Sequence, residues 1–347
     1  VNSLILRSQN NLISGYRKLV NTNFEILKKN FDIISLCHEG SESSSLISAS
    51  KLNKNNFFSK ELFVSPLPHS KDTAFTNYLP FKNNIYVLTM WETDLLHRFS
   101  VNELNDTACK VFVPCSWNRE TFEKCNVKNV ELLNFFVDDK VFNYKPKKDL
   151  SKFTFIAGAH LNDYSSSGCR KDIDLIIDSF LKIFNNNKDV ELIIKASGAN
   201  KNTLKRFFNS NIRVVYDYLS EADLSDFLAS GDVFISSSKS EGWGFFQIES
   251  LAIGRPIITI DYGGIKEFCN SKNSFFIEYE EELATGYFGR GGGCWAKLNK
   301  ESLIEQMYFC YKNKDSIRNN WRLYSSSVLP KFNILNYENR LLKALAG

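Results

Sequence analysis

The apolar positions of this chain fall into short runs separated by longer stretches with helical spacing. Ser3–Arg7 predicts a strand, Asn10–Gly15 a loop, and Tyr16–Lys29 a helix carrying Tyr16, Leu19, Val20, Phe24, Ile26 and Leu27. Asp32–Leu36, Glu61–Ser65, Asn84–Thr89 and Lys110–Val113 are further strands. Ser41–Asn56, rich in Ser, Asn and Lys, reads as an exposed loop. β-branched and aromatic runs that alternate with helical patterns argue for β-α-β units on a parallel sheet.

Near residue 140 the pattern breaks. Asp138–Leu150 contains Lys145-Pro146-Lys147-Lys148 and reads as a polar linker. A second alternation follows, with strands at Phe153–Ala157, Val190–Lys195, Ile212–Val215, Val233–Ser236 and Pro256–Ile260. Helices are expected at Asp172–Asn185, near Asn202–Phe208, at Glu221–Ser230 with Ser220 as N-cap, and at Phe245–Ile253. The fold class is therefore α/β, with two doubly wound domains in tandem. One is residues 1–145 and the other 146–330. The tail from Ser316 has helical character, and its last stretch, about 331–347, is expected to return to the first domain. Two such domains predict a cleft, because ligands gather outside the carboxyl ends of parallel strands.

Composition narrows this picture only a little. A chain of 347 residues is long enough for two cores. Its 43 basic and 39 acidic side chains leave a net charge of +4, too small an excess to argue for nucleic acid. The eight cysteines form no C-x-x-C pair and no cluster with zinc-ligand spacing, so reduced thiols are expected. No apolar run is long enough to span a bilayer, and the first residues do not read as a secretory signal. The expectation is a cytoplasmic location, with peripheral association at a membrane left open. The modest positive balance suits a phosphate-bearing ligand or an anionic membrane surface, but a plain solvated lysine-rich surface accounts for it better than either.

The chemistry concentrates in Val233–Gly264, VFISSSKSEGWGFFQIESLAIGRPIITIDYGG. A strand runs into a polar loop, then Glu241-Gly242-Trp243-Gly244, then a helix with Glu249 on its second turn. Glycines allow close backbone approach, and a helix start offers N–H groups and the positive end of its dipole to a diphosphate. Two carboxylates eight positions apart can accept hydrogen bonds from different hydroxyls of one elongated ligand. Nothing in this arrangement requires a metal.

The segment resembles the E-x7-E motif of retaining glycosyltransferases of the GT-B fold, in particular the nucleotide-sugar-dependent family four. The resemblance rests on Ser238, Glu241, Gly242, Gly244, Glu249, Ala252, Gly254, Pro256, Ile257, Ile258, Gly263, Gly264 and Glu267, with Ser250 where the family has alanine. It implies Glu241 at the donor sugar, Gly242, Trp243, Gly244 and Phe245 offering backbone amides to the diphosphate, and Glu249 at the ribose hydroxyls. Upstream, Phe155–Gly158 followed by Arg170-Lys171 is similar to the family's strand, glycine and basic pair. Those cations would neutralise the leaving diphosphate. Lys171 is the better match, because Ala159-His160 and the expanded loop 161–168 depart from the pattern; Arg170 can equally be read as a surface or structural ion pair. Val215–Ser220 resembles the loop that packs on the nucleobase, with Tyr218 and Leu219 as contacts. In the first domain, Trp91-Glu92, Val111–Trp117 and Phe136–Phe142 follow the family's order, and Ser14-Gly15-Tyr16 sits where members place a glycine loop.

By this resemblance the fold is GT-B, two Rossmann-like domains across a cleft, and the reaction transfers a hexose with retention from GDP-mannose or a UDP-hexose. The acceptor would be a glycan, a lipid-linked molecule or a small molecule, and no cofactor or metal is expected. A GT-B epimerase and a non-catalytic sugar-nucleotide-binding protein are the alternatives. Of four histidines, His38 beside Glu39-Gly40 is the one placed to face the cleft; His69, His97 and His160 read as surface or satisfied groups. Gly286–Gly293 lacks the context of a phosphate cradle and reads as a flexible loop on the acceptor side, and Trp295 as a core residue.

Overall fold

The apolar runs become the strands of two parallel sheets in the computed structural model, which describes residues 3–8, 14–37, 47–48, 60–68, 84–160, 170–197, 211–216 and 218–346. The chain divides into two units, Val1–Asn134 with Tyr337–Gly347, and Phe135–Asn336.

The first unit holds β1 (Ser3–Ser8), β2 (Asp32–Cys37), β3 (Ile47–Ser48), β4 (Lys60–Val64), β5 (Asn84–Leu88), β6 (Lys110–Val113) and β7 (Val130–Leu132). They lie in the order β3-β2-β1-β4-β5-β6-β7, and every pairing is parallel. β4, β5 and β6 are buried along nearly their whole length, which is why they read as continuous apolar runs. β3 lies inside the stretch 41–56 expected to be loop, pairing Ile47 with Leu36. Two residues of partner strand leave too short a pattern to read. The helix Ile334–Ala346 ends in this unit: the Tyr337 hydroxyl donates to Asn23 Oδ1 at 2.7 Å, and Lys60 Nζ donates to the Leu345 carbonyl.

The second unit is built on β8 (Phe153–His160), β9 (Val190–Ser197), β10 (Ile212–Val215), β11 (Val233–Ile235), β12 (Ile257–Ile260) and β13 (Ser274–Ile277). Their order is β10-β9-β8-β11-β12-β13, again all parallel. The chain runs outward from β8 in one direction and resumes at β11 on its other side. The junction of β8 and β11 is thus the topological switch point, where the carboxyl ends of strands and the following loops form a ligand crevice in open α/β sheets. Ser220 caps the helix Glu221–Ala229 as the sequence predicts, its hydroxyl accepting from the Asp223 amide at 3.1 Å.

The stretch 138–150 is exposed at most positions, as a polar linker would be, but it is anchored at Phe142 and Lys147. Lys147 is buried, and its ammonium donates to Asp232 Oδ2 at 2.6 Å, to Thr154 Oγ1 at 2.8 Å and to the Lys152 carbonyl at 2.9 Å. The second unit begins at Phe135 rather than near 146, because Phe135 stacks on Phe245 of this unit and Phe136 meets the same ring edge-on. Two helices, Arg98–Thr107 and Ser116–Lys124, have no clear apolar stripe and escape pattern reading. The second is capped by Cys115, whose sulfur accepts from the Asn118 amide, a cap outside the usual Ser, Thr, Asp and Asn set. The helix expected near Asn202–Phe208 lies outside the described residues.

Candidate active site

The site grows from the loop that follows β11. Lys171 bridges Ser238 in antiparallel fashion, and the Lys239 amide donates to the Arg170 carbonyl at 2.8 Å. This short pairing fixes the basic pair beside Glu241. Arg170 Nη1 lies 3.2 Å from Glu241 Oε2 and donates to the Ser240 carbonyl at 2.7 Å, while Lys171 Nζ lies 3.4 Å from Oε1. Arg170 is buried, so it is not a surface cation. The three residues assigned to catalysis from the sequence come together, although seventy positions separate the pair from the carboxylate.

Burial pushes the Glu241 carboxyl up, but the ammonium of Lys171, the guanidinium of Arg170 and the Ser238 hydroxyl outweigh it and hold the group at about 2 against an ordinary 4.5. It is therefore ionised at any physiological pH. Its Oε1 accepts no hydrogen bond among the described residues, so it keeps acceptor capacity beyond the ion pair. A carboxyl lowered on folding stabilises the native state fully above its unfolded value and loses that contribution as pH falls through the folded value. Wild type and Glu241→Gln are therefore expected to differ most in unfolding free energy near neutral pH. The difference should shrink as pH falls from 4.5 towards 2. Urea titrations across that window measure it, and a gap independent of pH would refute the assignment.

After Glu241 the backbone turns tightly. Gly244 has φ +93°, and it caps the helix Phe245–Ile253 without any side-chain hydrogen bond. A Cβ at Gly264 would lie 2.1 Å from the Gly242 carbonyl oxygen, and the Gly264 amide donates to the Glu241 carbonyl at 2.7 Å. The second glycine pair therefore clamps the first turn in place. The Trp243 side chain points into the core, edge-on to Phe135, Phe268 and Phe332 at 5.2–5.7 Å between ring centres. Only its backbone is available to a ligand. The helix itself is buried from Gln247 to Ile253, including Glu249 in its second turn, away from Glu241 along the helix. Tyr218, 81% exposed, and the half-buried Leu219 lie in the segment between β10 and the helix Glu221–Ala229.

A further support of the site has no local signature in the chain. β14 (Tyr279–Leu283) and β15 (Cys294–Leu298) form an antiparallel hairpin, so Gly286–Gly293 is its tip, with a short helix Gly286–Gly289, and not a free loop. The Ala296 amide donates to the Lys239 carbonyl at 2.9 Å, and the Lys239 ammonium pairs with Glu282 and lies over the Trp295 ring. Phe288 places its ring 5.4 Å from the Arg170 guanidinium. The hairpin thus braces the loop and the arginine together. Trp295 is core, as expected, donating to Glu282 at 3.0 Å. The His97 ring accepts from the Phe99 amide at 3.1 Å as a helix cap. His38, His69 and the side chain of His160 lie outside the described residues. Among the described residues no cluster of His, Cys, Asp and Glu could hold a metal ion, and no helix is long and apolar enough to cross a membrane.

Residues 164–286 match the family model described as glycosyl transferases group 1, a span that takes in Arg170, Lys171, Glu241 and Glu249. The chain is 24% identical over 163 residues to the UDP-N-acetylglucosamine–peptide N-acetylglucosaminyltransferase GtfA subunit of Limosilactobacillus reuteri subsp. suis, covering 46% of this chain and 28% of that protein. It is 29% identical over 130 residues to the O-antigen biosynthesis glycosyltransferase WclY of Escherichia coli, covering 36% of this chain and 34% of that one. The chain thus spans about a third or less of the length of these curated relatives. The sucrose-phosphate synthase structure from Thermosynechococcus elongatus superposes with a TM-score of 0.72 at 10% identity, over 100% of this chain and 98% of that one. The fold is GT-B, with two Rossmann-like units. The sequence matches support a glycosyltransferase.

Proposed function

We propose that the chain is a retaining hexosyltransferase that uses a nucleotide diphosphate sugar. The observation that carries the reading is the buried Glu241 carboxylate held by Arg170 and Lys171 at the start of a helix capped by glycine. That arrangement supplies cations and helix amides for a diphosphate and an ionised acceptor for sugar hydroxyls. A UDP-sugar is favoured over GDP-mannose, because the GtfA relative is by name a UDP-N-acetylglucosamine enzyme. The acceptor is a glycan, a lipid-linked molecule or a small molecule, and the carbohydrate reading is favoured because WclY is by name an O-antigen biosynthesis enzyme.

In this reading the bond from the anomeric carbon to the diphosphate oxygen breaks, and its electron pair stays on the leaving phosphate. The acceptor hydroxyl attacks from the same face and passes its proton to a phosphate oxygen. Arg170 and Lys171 stabilise the charge that builds there, and Glu241 steadies the sugar beside them. Glu249 binds ribose hydroxyls, and Tyr218 and Leu219 cover the base. No metal takes part.

A thermal-shift panel of UDP-, GDP- and ADP-sugars tests the donor. At a concentration about a hundredfold above Kd, binding adds about 2.7 kcal/mol, a rise of several degrees in Tm. The rise is expected with a UDP-sugar and should persist in EDTA. Release of UDP on adding acceptor tests transfer. Stabilisation by none of the three nucleotide sugars would sink the reading.

A further inference from the structure

Lys195 closes the apolar run Leu192–Ile194 in β9. It is 7% exposed, and among the described residues no carboxylate, carbonyl or hydroxyl takes a hydrogen bond from its ammonium. Burial, and then the neighbouring charge of Lys171, pull its pKa down. Its partner in the sheet is Gly158 of β8. Its Nζ lies 5.9 Å from the ring centre of Phe246, in the first turn of the helix Phe245–Ile253. A Cβ at Gly158 would sit 3.1 Å from that same ring, so the bare glycine is what lets Phe246 settle over the strand ends and the lysine. Lys195 therefore stands at the carboxyl end of the sheet by the helix start and within electrostatic reach of Lys171, not in an unrelated part of the core.

A packing role does not account for it. Methionine or leucine would fill the same space without desolvating a charge. The contact with one phenylalanine ring is a weak return for placing an ammonium next to a second cation. An anion shared with Lys171 does account for it. Resting on the proposed function, we infer that Lys195 is a third cation of the site and binds the diphosphate of the donor. Arg170, Lys171 and Lys195 against the single carboxylate Glu241 leave two positive charges, the number carried with opposite sign by the diphosphate of a nucleotide sugar. When the glycosidic bond breaks, the departing nucleoside diphosphate gains one further negative charge, and a buried ammonium is worth most at that moment.

Calorimetry on Lys195→Met and Lys195→Arg tests the inference, with UDP, GDP and ADP as probes and the matching nucleosides as controls. For the diphosphate that wild type binds, Lys195→Met is expected to weaken affinity about 10- to 100-fold, the range of a charge-assisted hydrogen bond. Affinity for the nucleoside should not change, and Lys195→Arg should recover part of the loss. Lys195→Met should melt at or above the wild-type temperature, since it removes a largely desolvated ammonium that has no hydrogen-bond partner among the described residues. Equal diphosphate affinity in wild type and Lys195→Met overturns the inference and leaves the proposed function standing. A matched loss of diphosphate and nucleoside together with a lower Tm makes Lys195 structural and also overturns it. Wild type that binds none of the three diphosphates removes both readings.

Discussion

Glu241→Gln is expected to slow sugar transfer about 10²- to 10³-fold, the usual effect of deleting one group aimed at developing charge in a site closed to water. The same variant should bind the nucleoside diphosphate as tightly as wild type or more tightly. The two expectations come from one geometry. The carboxylate lies 3.2 Å from Arg170 and 3.4 Å from Lys171, so under the proposed function it competes with a diphosphate for the same cations. Removing its charge releases both to the phosphates and strips the reacting sugar of its ionised neighbour. Binding and turnover then move in opposite directions, which a general loss of folding cannot produce. Glutamine keeps the shape of the side chain and avoids the cavity that alanine would leave. Steady-state rates with a UDP-sugar, and calorimetry with UDP, measure the split. Full turnover by Glu241→Gln would remove the carboxylate from the mechanism.

How much of this site was legible beforehand depends on how local the determinants are. The helix Phe245–Ile253 and strands β6 and β10 have the boundaries read from their apolar runs, because glycine, proline or polar residues set each run off at one end or both. The carboxylate and the glycine turn sit in one continuous segment, so a motif could carry them. The seating of Arg170 was open, since it depends on a bridge between Lys171 and Ser238 and on a hairpin more than a hundred residues away. Lys195 carries a signal of its own, a single lysine within the buried run Leu192–Ala196. Lys147 was misread for the converse reason. A run of lysines and proline looks solvated, and only the tertiary position of Asp232 makes one of those lysines a buried group.

Asp232→Asn should cost the second unit about 3–5 kcal/mol, the range for taking away one partner of a buried ion pair. Asp232 is fully buried, with Lys147 Nζ at 2.6 Å and the Thr154 amide at 2.8 Å on one oxygen and Arg318 Nε at 2.7 Å on the other. Burial already lowers the Lys147 pKa against the pull of Asp232, so that ammonium depends on the carboxylate for its charge. The amide of asparagine accepts hydrogen bonds but offers no charge to two cations. Lys147→Met should cost less, because Asp232 keeps Arg318 and the backbone amide. The Lys147–Asp232 double-mutant cycle isolates the pair from the rest of the network. The position also separates stability from chemistry. Asp232 precedes β11, and its own amide donates to the Thr154 carbonyl at 2.7 Å, so the network ties β8 to β11 at their amino ends. Glu241 and the basic pair lie beyond the carboxyl ends of the same two strands. Asp232→Asn should therefore unfold at a lower urea concentration while the folded fraction binds UDP with wild-type affinity. A wild-type urea midpoint would show that the pair contributes nothing to the fold. Weakened UDP binding by fully folded Asp232→Asn would show that the two ends of these strands are coupled.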